Sequence, residues 1–236
     1  YLSVNMYLLL NNIKNGSIAL EFTFWGLTVI VFCVYGAWFI YLTQSPFIFI
    51  DQLHYKSLDI GFFYIPLACS IYIGNLLSKK IKLKYGIELA LSVGCMFFLF
   101  GALLMAMITF FFNISSALQL IIPMSLLAIS NGFILPLGIP AAISLNPDKS
   151  GSGSGLVGFF QIFFSAICAS FVGEFLGVSI FVMSSTILLL SIFAVDFIGS
   201  VNGLAIKLLI CEDGDNLMLQ AQLFEIVKLL LHFNLD

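Results

Sequence analysis

Charged residues are scarce in this sequence. Only 9% of its 236 residues are Asp, Glu, Lys or Arg, whereas roughly a quarter of a soluble globular domain is charged. Hydrophobic residues make up 61% of the chain, and the mean hydropathy is +1.12. Low charge excludes a water-soluble domain, and high hydrophobicity excludes a disordered chain. The composition predicts an integral membrane protein with room for about six helices of roughly 20 residues each.

Basic residues and paired cysteines are also lacking. The sequence has nine lysines, no arginine and a net charge of −3, which gives no support to nucleic-acid binding. Its five cysteines include no CxxC pair, and the two histidines, His54 and His232, lie far from them in sequence. We therefore expect neither a disulfide framework nor a metal site.

Catalytic motifs are missing as well. The run SGSG at 152–155 has serine where an intramembrane serine protease needs its first glycine, and no histidine lies within an apolar stretch to act as the base. The sequence also lacks a pair of aspartates within the apolar stretches and a phosphate-binding P-loop. We expect the protein not to be an enzyme.

The sequence does contain long runs of uncharged, mostly apolar residues. They are too long for barrel strands of about ten residues and require helices, whose backbone hydrogen bonds are satisfied internally. The predicted fold is an all-α integral membrane protein with a six-helix transmembrane bundle at 22–199. The predicted spans are 22–43, 60–77, 87–112, 118–142, 153–171 and 178–198.

The lysines predict an orientation. If the chain starts in the cytoplasm, the loops on the inner side hold eight of the nine lysines and the outer loops hold only Lys56. Such a bias follows the positive-inside rule, so both ends are predicted to be cytoplasmic. A first residue that is Tyr rather than Met is typical of a fragment. The last segment, 200–236, is predicted to be an acidic cytoplasmic tail, either an interfacial helix or a docking segment for a partner.

Polar residues within the spans are the candidate site. Two carboxylates considered for proton coupling, Glu174 and Asp196, are predicted at helix ends, which leaves no carboxylate near the middle of a span. Uncharged candidates for a polar path are Tyr41, Gln44, Asn131 and Gln161. Span five also carries three small residues suited to helix packing: Gly151, Gly155 and Gly158. The pattern leaves helix packing and a polar-lined path as alternatives.

Four segments carry a resemblance to a known family. The run YLTQSPFIF at 41–49 resembles the end of the seventh helix in the bicyclomycin-resistance and chloramphenicol-efflux (Bcr/CflA) drug:proton antiporters of the major facilitator superfamily. The run GNLLSKK at 74–80 resembles the superfamily's Gly-x-x-x-Asp-Arg loop motif, with Ser78 in the position of the aspartate. The segments 131–142 and 149–161 resemble the tenth helix, the inner loop and the eleventh helix.

This resemblance covers roughly residues 7–200 and implies that the six spans are helices seven to twelve of a twelve-helix transporter. Residues 1–21 would then end the cytoplasmic linker between the halves. The implied function is proton-coupled multidrug efflux across the bacterial inner membrane by rocker-switch alternating access. A proton gradient would supply the energy without another cofactor, small apolar drugs would be the substrates, and a separate six-helix half would hold the coupling acid.

The resemblance also implies roles for individual residues. The four polar candidates would face the substrate cavity. Gly74, Lys79 and Lys80 would belong to the inner gate or set the orientation, and Pro136 and Pro140 would be bending points. Two alternatives remain: a non-transporting remnant or six-span membrane scaffold, and a carrier of the same superfamily for another small solute.

Overall fold

The computed structural model describes the backbone of residues 2–112, 114, 116–144 and 150–209, with side chains for 23–112, 114, 116–144, 151–174 and 177–201. This part of the chain is helical and contains no strand. Two short π-helical turns, Ile48–Gln52 and Val172–Leu176, directly follow the first and fifth helices. The six α helices are α1 Leu2–Phe47, α2 Ser57–Tyr85, α3 Ile87–Phe111, α4 Leu118–Ser144, α5 Ser150–Phe171 and α6 Ile180–Leu209.

The described residues include six helical segments long and apolar enough to cross a membrane, which confirms the all-α prediction and is compatible with a membrane helical bundle. These segments are Thr23–Gln52, Ser57–Tyr85, Ile87–Phe111, Leu118–Ser144, Gly151–Glu174 and Ile180–Val201.

The helices extend beyond several predicted ends. The first helix begins at Leu2, so the predicted linker at 1–21 is helical from there. Helix α2 continues through its lysines to Tyr85, because lysine and leucine are both good helix formers. It ends at Gly86, whose φ of 91° is a conformation that glycine adopts without steric cost.

Contacts between residues divide the chain into two units. Residues 20–201 form the membrane unit, and residues 1–19 and 202–236 form the other. In the second unit the structure describes a helical backbone at 2–19 and 202–209. The predicted break at 113–116 is described only at Ile114 and Ser116, while Lys149 and the acidic tail from residue 210 onward lie outside the described residues.

Helix α1 packs at the centre of the membrane unit. It runs antiparallel to α6, because Gly26 lies against Val201 whereas Gly36 lies against Leu190. It runs alongside α5, where the ring centroids of Trp25 and Phe160 are 5.4 Å apart. The most apolar segments of α1 and α4 are 61% and 67% buried, whereas those of α2 and α5 are both 22% buried. The core is therefore built around α1 and α4.

Helices α2 and α4 touch through glycine backbones. A Cβ atom on Gly74 would lie 2.4 Å from the Ile129 carbonyl oxygen, and one on Gly132 would lie 2.4 Å from the Ile71 carbonyl oxygen. Both distances are far below van der Waals contact, so only glycine permits this crossing. On the other side of α4, Gly101 of α3 lies close to Leu127 in the same way.

Candidate functional site

Two of the predicted polar residues lie inside α1. Tyr41 is 0% exposed and Gln44 is 1% exposed. The predicted span ended at residue 43, but α1 continues to Phe47 and the π-helical turn extends the helical segment to Gln52. Both side chains therefore lie two or more helical turns before the end of this segment and are buried in the core.

A second pair of buried polar residues lies in the middle of α4. Asn131 is equidistant from the helix ends at Leu118 and Ser144. Its amide nitrogen donates a hydrogen bond of 3.3 Å to the Leu127 carbonyl oxygen within the same helix. The neighbouring Ser130 is 0% exposed. The sequence already marked Asn131, and the adjacent serine in an apolar span was the available signal for Ser130.

The packing of α1 against α4 brings Tyr41 and Asn131 to similar depths. Val31 of α1 lies 3.0 Å from the position of a Cβ atom on Gly138 of α4. The Ala117 amide before α4 donates to the Tyr55 hydroxyl after α1, so the two helices are antiparallel. Tyr41 is ten residues beyond Val31, and Asn131 is seven before Gly138. At 1.5 Å per residue their axial offset is about 5 Å.

Several polar atoms in this region have no hydrogen-bond partner among the described residues. They are the Tyr41 hydroxyl, both amide atoms of Gln44, the Ser130 hydroxyl and Asn131 Oδ1. The Tyr41 hydroxyl lies near Ser45 but makes no hydrogen bond of acceptable geometry. An unsatisfied buried polar group costs about 1–3 kcal/mol, and such groups are rare in native structures. These atoms can bind water or another hydrogen-bonding molecule.

A hydrogen bond connects α1 to α2 beside this region. The Ser45 and Tyr64 hydroxyl oxygens are 2.7 Å apart, and the Tyr41 and Tyr64 rings are edge to face with centroids 6.4 Å apart. Tyr64 was not singled out from the sequence, because its neighbours in sequence are apolar, whereas Tyr41 stands close to Gln44 and Ser45. Pro46, which directly follows Ser45 in α1, has no amide hydrogen, so the Leu42 carbonyl lacks its usual helical donor.

Gln161 does not join the other polar candidates. It is half-buried on α5, and Ser165, one turn later, lies 3.8 Å from the position of a Cβ atom on Gly36 of α1. Gln161 is therefore at the depth of a point on α1 roughly nine residues before Tyr41. Along the helix axis, Gln161 and Tyr41 are about 13 Å apart. Tyr41 and Asn131 therefore lie at similar depths on α1 and α4, Gln44 lies about one turn beyond Tyr41 on α1, and Gln161 has a separate position on α5.

The three glycines predicted to pack helices lie on an open side of α5. A Cβ atom on Gly151, Gly155 or Gly158 would meet nothing within 4 Å among the described residues. No described helix of this chain uses them for close approach. The described glycines of close helix contacts include Gly26, Gly74, Gly94, Gly101 and Gly132.

The predicted gate residues have different surroundings from those expected of a loop. Gly74 lies within α2 at its crossing with α4, not in a loop. Lys79 and Lys80 are exposed on the same helix. Pro136 and Pro140 are exposed on α4, whose helical assignment continues through both. Pro136 leaves the Gly132 carbonyl without its helical donor at the crossing point.

The two carboxylates singled out from the sequence are not buried in the structure. Glu174 and Asp196 are both exposed, and Asp196 lies 13 residues before the end of α6 because that helix extends to Leu209. The described residues contain no group of three or more His, Cys, Asp or Glu side chains that could hold a metal ion. Cys33 and Cys95 are buried as free thiols.

Comparison with known proteins returned no match to a protein-family model, to a curated protein or to a solved structure.

Proposed function

We propose that this chain is the C-terminal six-helix half of a proton-coupled multidrug exporter of the major facilitator superfamily, similar to the Bcr/CflA antiporters. It acts in the bacterial inner membrane with both ends in the cytoplasm. A separate six-helix half completes the transporter and carries the acid that couples drug efflux to the proton gradient.

The unpaired polar atoms on α1 and α4 are the observation that carries this proposal. A bundle that only anchors or scaffolds has no use for amide and hydroxyl groups buried without partners, because lipid cannot compensate them. A transporter has such a use, since its interior must bind water or solute during part of its cycle. The resemblance assigns these residues to helices seven and ten, both of which contribute to the central cavity.

The unequal burial of the helices is consistent with a missing half. Large apolar side chains are exposed along α5, including Phe159 and Phe163. The open glycines of α5 lie on a helix with little burial within this chain. A partner half that packs against α5 would use these glycines for close approach.

Buried neutral groups also fit a carrier for another small solute, because hydroxyls and amides bind sugars and amino acids as readily as drugs. Substrate competition separates the two carriers. A solute that inhibits dye efflux only at concentrations where it is itself transported identifies the alternative substrate.

The proposal is tested in energised membrane vesicles that contain the chain with and without a first half, loaded with a fluorescent drug-like dye. We expect efflux that requires both halves and a proton gradient and that is strongly reduced by Asn131→Leu or Gln161→Leu at equal membrane abundance. Gly61→Ala, on an exposed position of α2, is the matched control. Efflux that is unchanged in both leucine variants, or that persists without the gradient, contradicts the proposal.

A further inference from the structure

The last seven residues of α2 form a basic helical end. Helix α2 has 29 residues and is about 44 Å long, which exceeds the roughly 30 Å of a bilayer's hydrocarbon core. Residues 60–78 carry no charge, and their 19 positions span about 28 Å. The lysines therefore begin where the hydrocarbon core ends, at the depth of the lipid headgroups. They are all exposed: Lys79, Lys80, Lys82 and Lys84.

The same helix presents an apolar side to lipid. Exposed side chains include Phe62, Tyr72 and Leu76, at 68%, 64% and 45% exposure. Leu76 and Leu83 are seven residues apart and share a face with Lys79 and Lys80. Leu83 is 87% exposed, which places an apolar side chain among four ammonium groups. Such a surface matches a molecule that has both acyl chains and a negative charge.

Little negative charge opposes these lysines along the neighbouring chain. Asp59 is at the opposite end of α2, and the nearest acid in sequence is the half-buried Glu88 in the first turn of α3. Four positive charges against one negative charge leave the helical end cationic. The ammonium nitrogen of Lys84 lies 4.9 Å from the centroid of the Tyr85 ring, and tyrosine is typical of the membrane interface.

We propose that the lysine-rich end of α2 binds anionic phospholipids. The lysine ammonium groups contact the lipid phosphates, Leu83 inserts at the headgroup–acyl boundary, and the acyl chains lie along the apolar side of α2. This binding does not depend on the proposed transport function, because it requires only that α2 spans the membrane with its exposed apolar side toward lipid.

The test is native mass spectrometry of the full-length chain from mixed micelles with equal amounts of phosphatidylglycerol and phosphatidylcholine. We expect preferential retention of phosphatidylglycerol. Each Lys→Gln substitution at 79, 80, 82 or 84 should lower the ratio of retained phosphatidylglycerol to phosphatidylcholine about fivefold, since a lysine near an anionic surface contributes about 1 kcal/mol. The fourfold Lys→Arg variant should keep the ratio, because it keeps the charge.

Lys56→Gln is the matched control, because Lys56 is exposed at the opposite end of the same helix and should leave the ratio unchanged. Circular dichroism verifies that each variant retains its helices. If the fourfold Lys→Arg variant does not fold, the four single Lys→Gln variants still test the proposal. A ratio that is insensitive to the four lysines, or equally sensitive to Lys56→Gln, overturns the proposal. Displacement of phosphatidylglycerol by inorganic phosphate, but not by chloride at equal ionic strength, would show that phosphate rather than lipid is the ligand and would also overturn it.

Discussion

The glycine crossing of α2 and α4 gives the sharpest stability prediction. In Gly74→Ala the added methyl group would lie 2.4 Å from the Ile129 carbonyl oxygen, whereas ordinary contact begins at 3.4 Å. The opposing atom belongs to the backbone, so a side-chain rotation cannot relieve the clash. The two helices must separate by about 1.0 Å at the crossing, the difference between these two distances.

The expected cost follows from two opposing effects. Overpacking a well-packed contact costs about 1–3 kcal/mol, whereas replacing glycine by alanine within a helix gains about 0.5–1 kcal/mol. We therefore expect Gly74→Ala to lower the free energy of unfolding by about 1 kcal/mol, and by at most about 2.5 kcal/mol. Gly61→Ala, on the same helix with no atom within 4 Å of the new Cβ among the described residues, should raise it by about 0.5–1 kcal/mol.

Unfolding of the full-length chain by sodium dodecyl sulfate in mixed micelles, followed by circular dichroism, measures both changes. Gly132→Ala should resemble Gly74→Ala. The double variant should lose less than the sum of the two, because both methyl groups require the same helix separation. If Gly74→Ala is as stable as Gly61→Ala, α2 and α4 do not cross at this point and the described packing is wrong.

Two further predictions concern the buried polar groups. Tyr64→Phe removes the hydrogen bond with Ser45 and should cost about 0.5–1.5 kcal/mol in the same unfolding measurement. Tyr41→Phe removes an unpaired hydroxyl and should cost nothing or stabilise the chain. Equal losses in the two variants would show that Tyr41 also has a partner. Asn131→Leu should leave unfolding within about 1 kcal/mol of the wild type but reduce the initial rate of proton-driven dye efflux roughly tenfold, the effect of losing one hydrogen bond of about 1.4 kcal/mol. An unchanged rate would remove Asn131 from the path.

The number and type of the helices were predictable because uncharged runs of 18 or more residues have one stable solution in lipid. Helix ends were less predictable. Lysine marks the edge of the hydrocarbon core but does not stop a helix, so α2 continues through Lys79 to Tyr85. Pro46 likewise lies inside α1, because a membrane helix tolerates a proline whose freed carbonyl is accommodated locally.

The candidate site was predictable in part. Tyr41, Gln44 and Asn131 were recognisable as polar residues in apolar spans, and the structure buries all three. Their depth relative to Gln161 depends on how α1 packs against α4 and α5, which the spacing of residues within one helix does not encode. Which glycines make close contacts also depends on how the helices pack. The sequence indicated the glycines of α5, whereas in the structure Gly74 and Gly132 make the close crossing.

Drug-driven proton movement in reconstituted liposomes tests the central claim most directly. The chain and a first half are incorporated into liposomes with an imposed pH gradient, and an internal pH dye reports proton flux on addition of a drug-like cation or a neutral drug. The account predicts drug-dependent proton flux opposite to drug movement when both halves are present, and a strongly reduced flux with Asn131→Leu. Drug movement that is independent of the pH gradient, or proton flux identical to that of liposomes containing the first half alone, would contradict it.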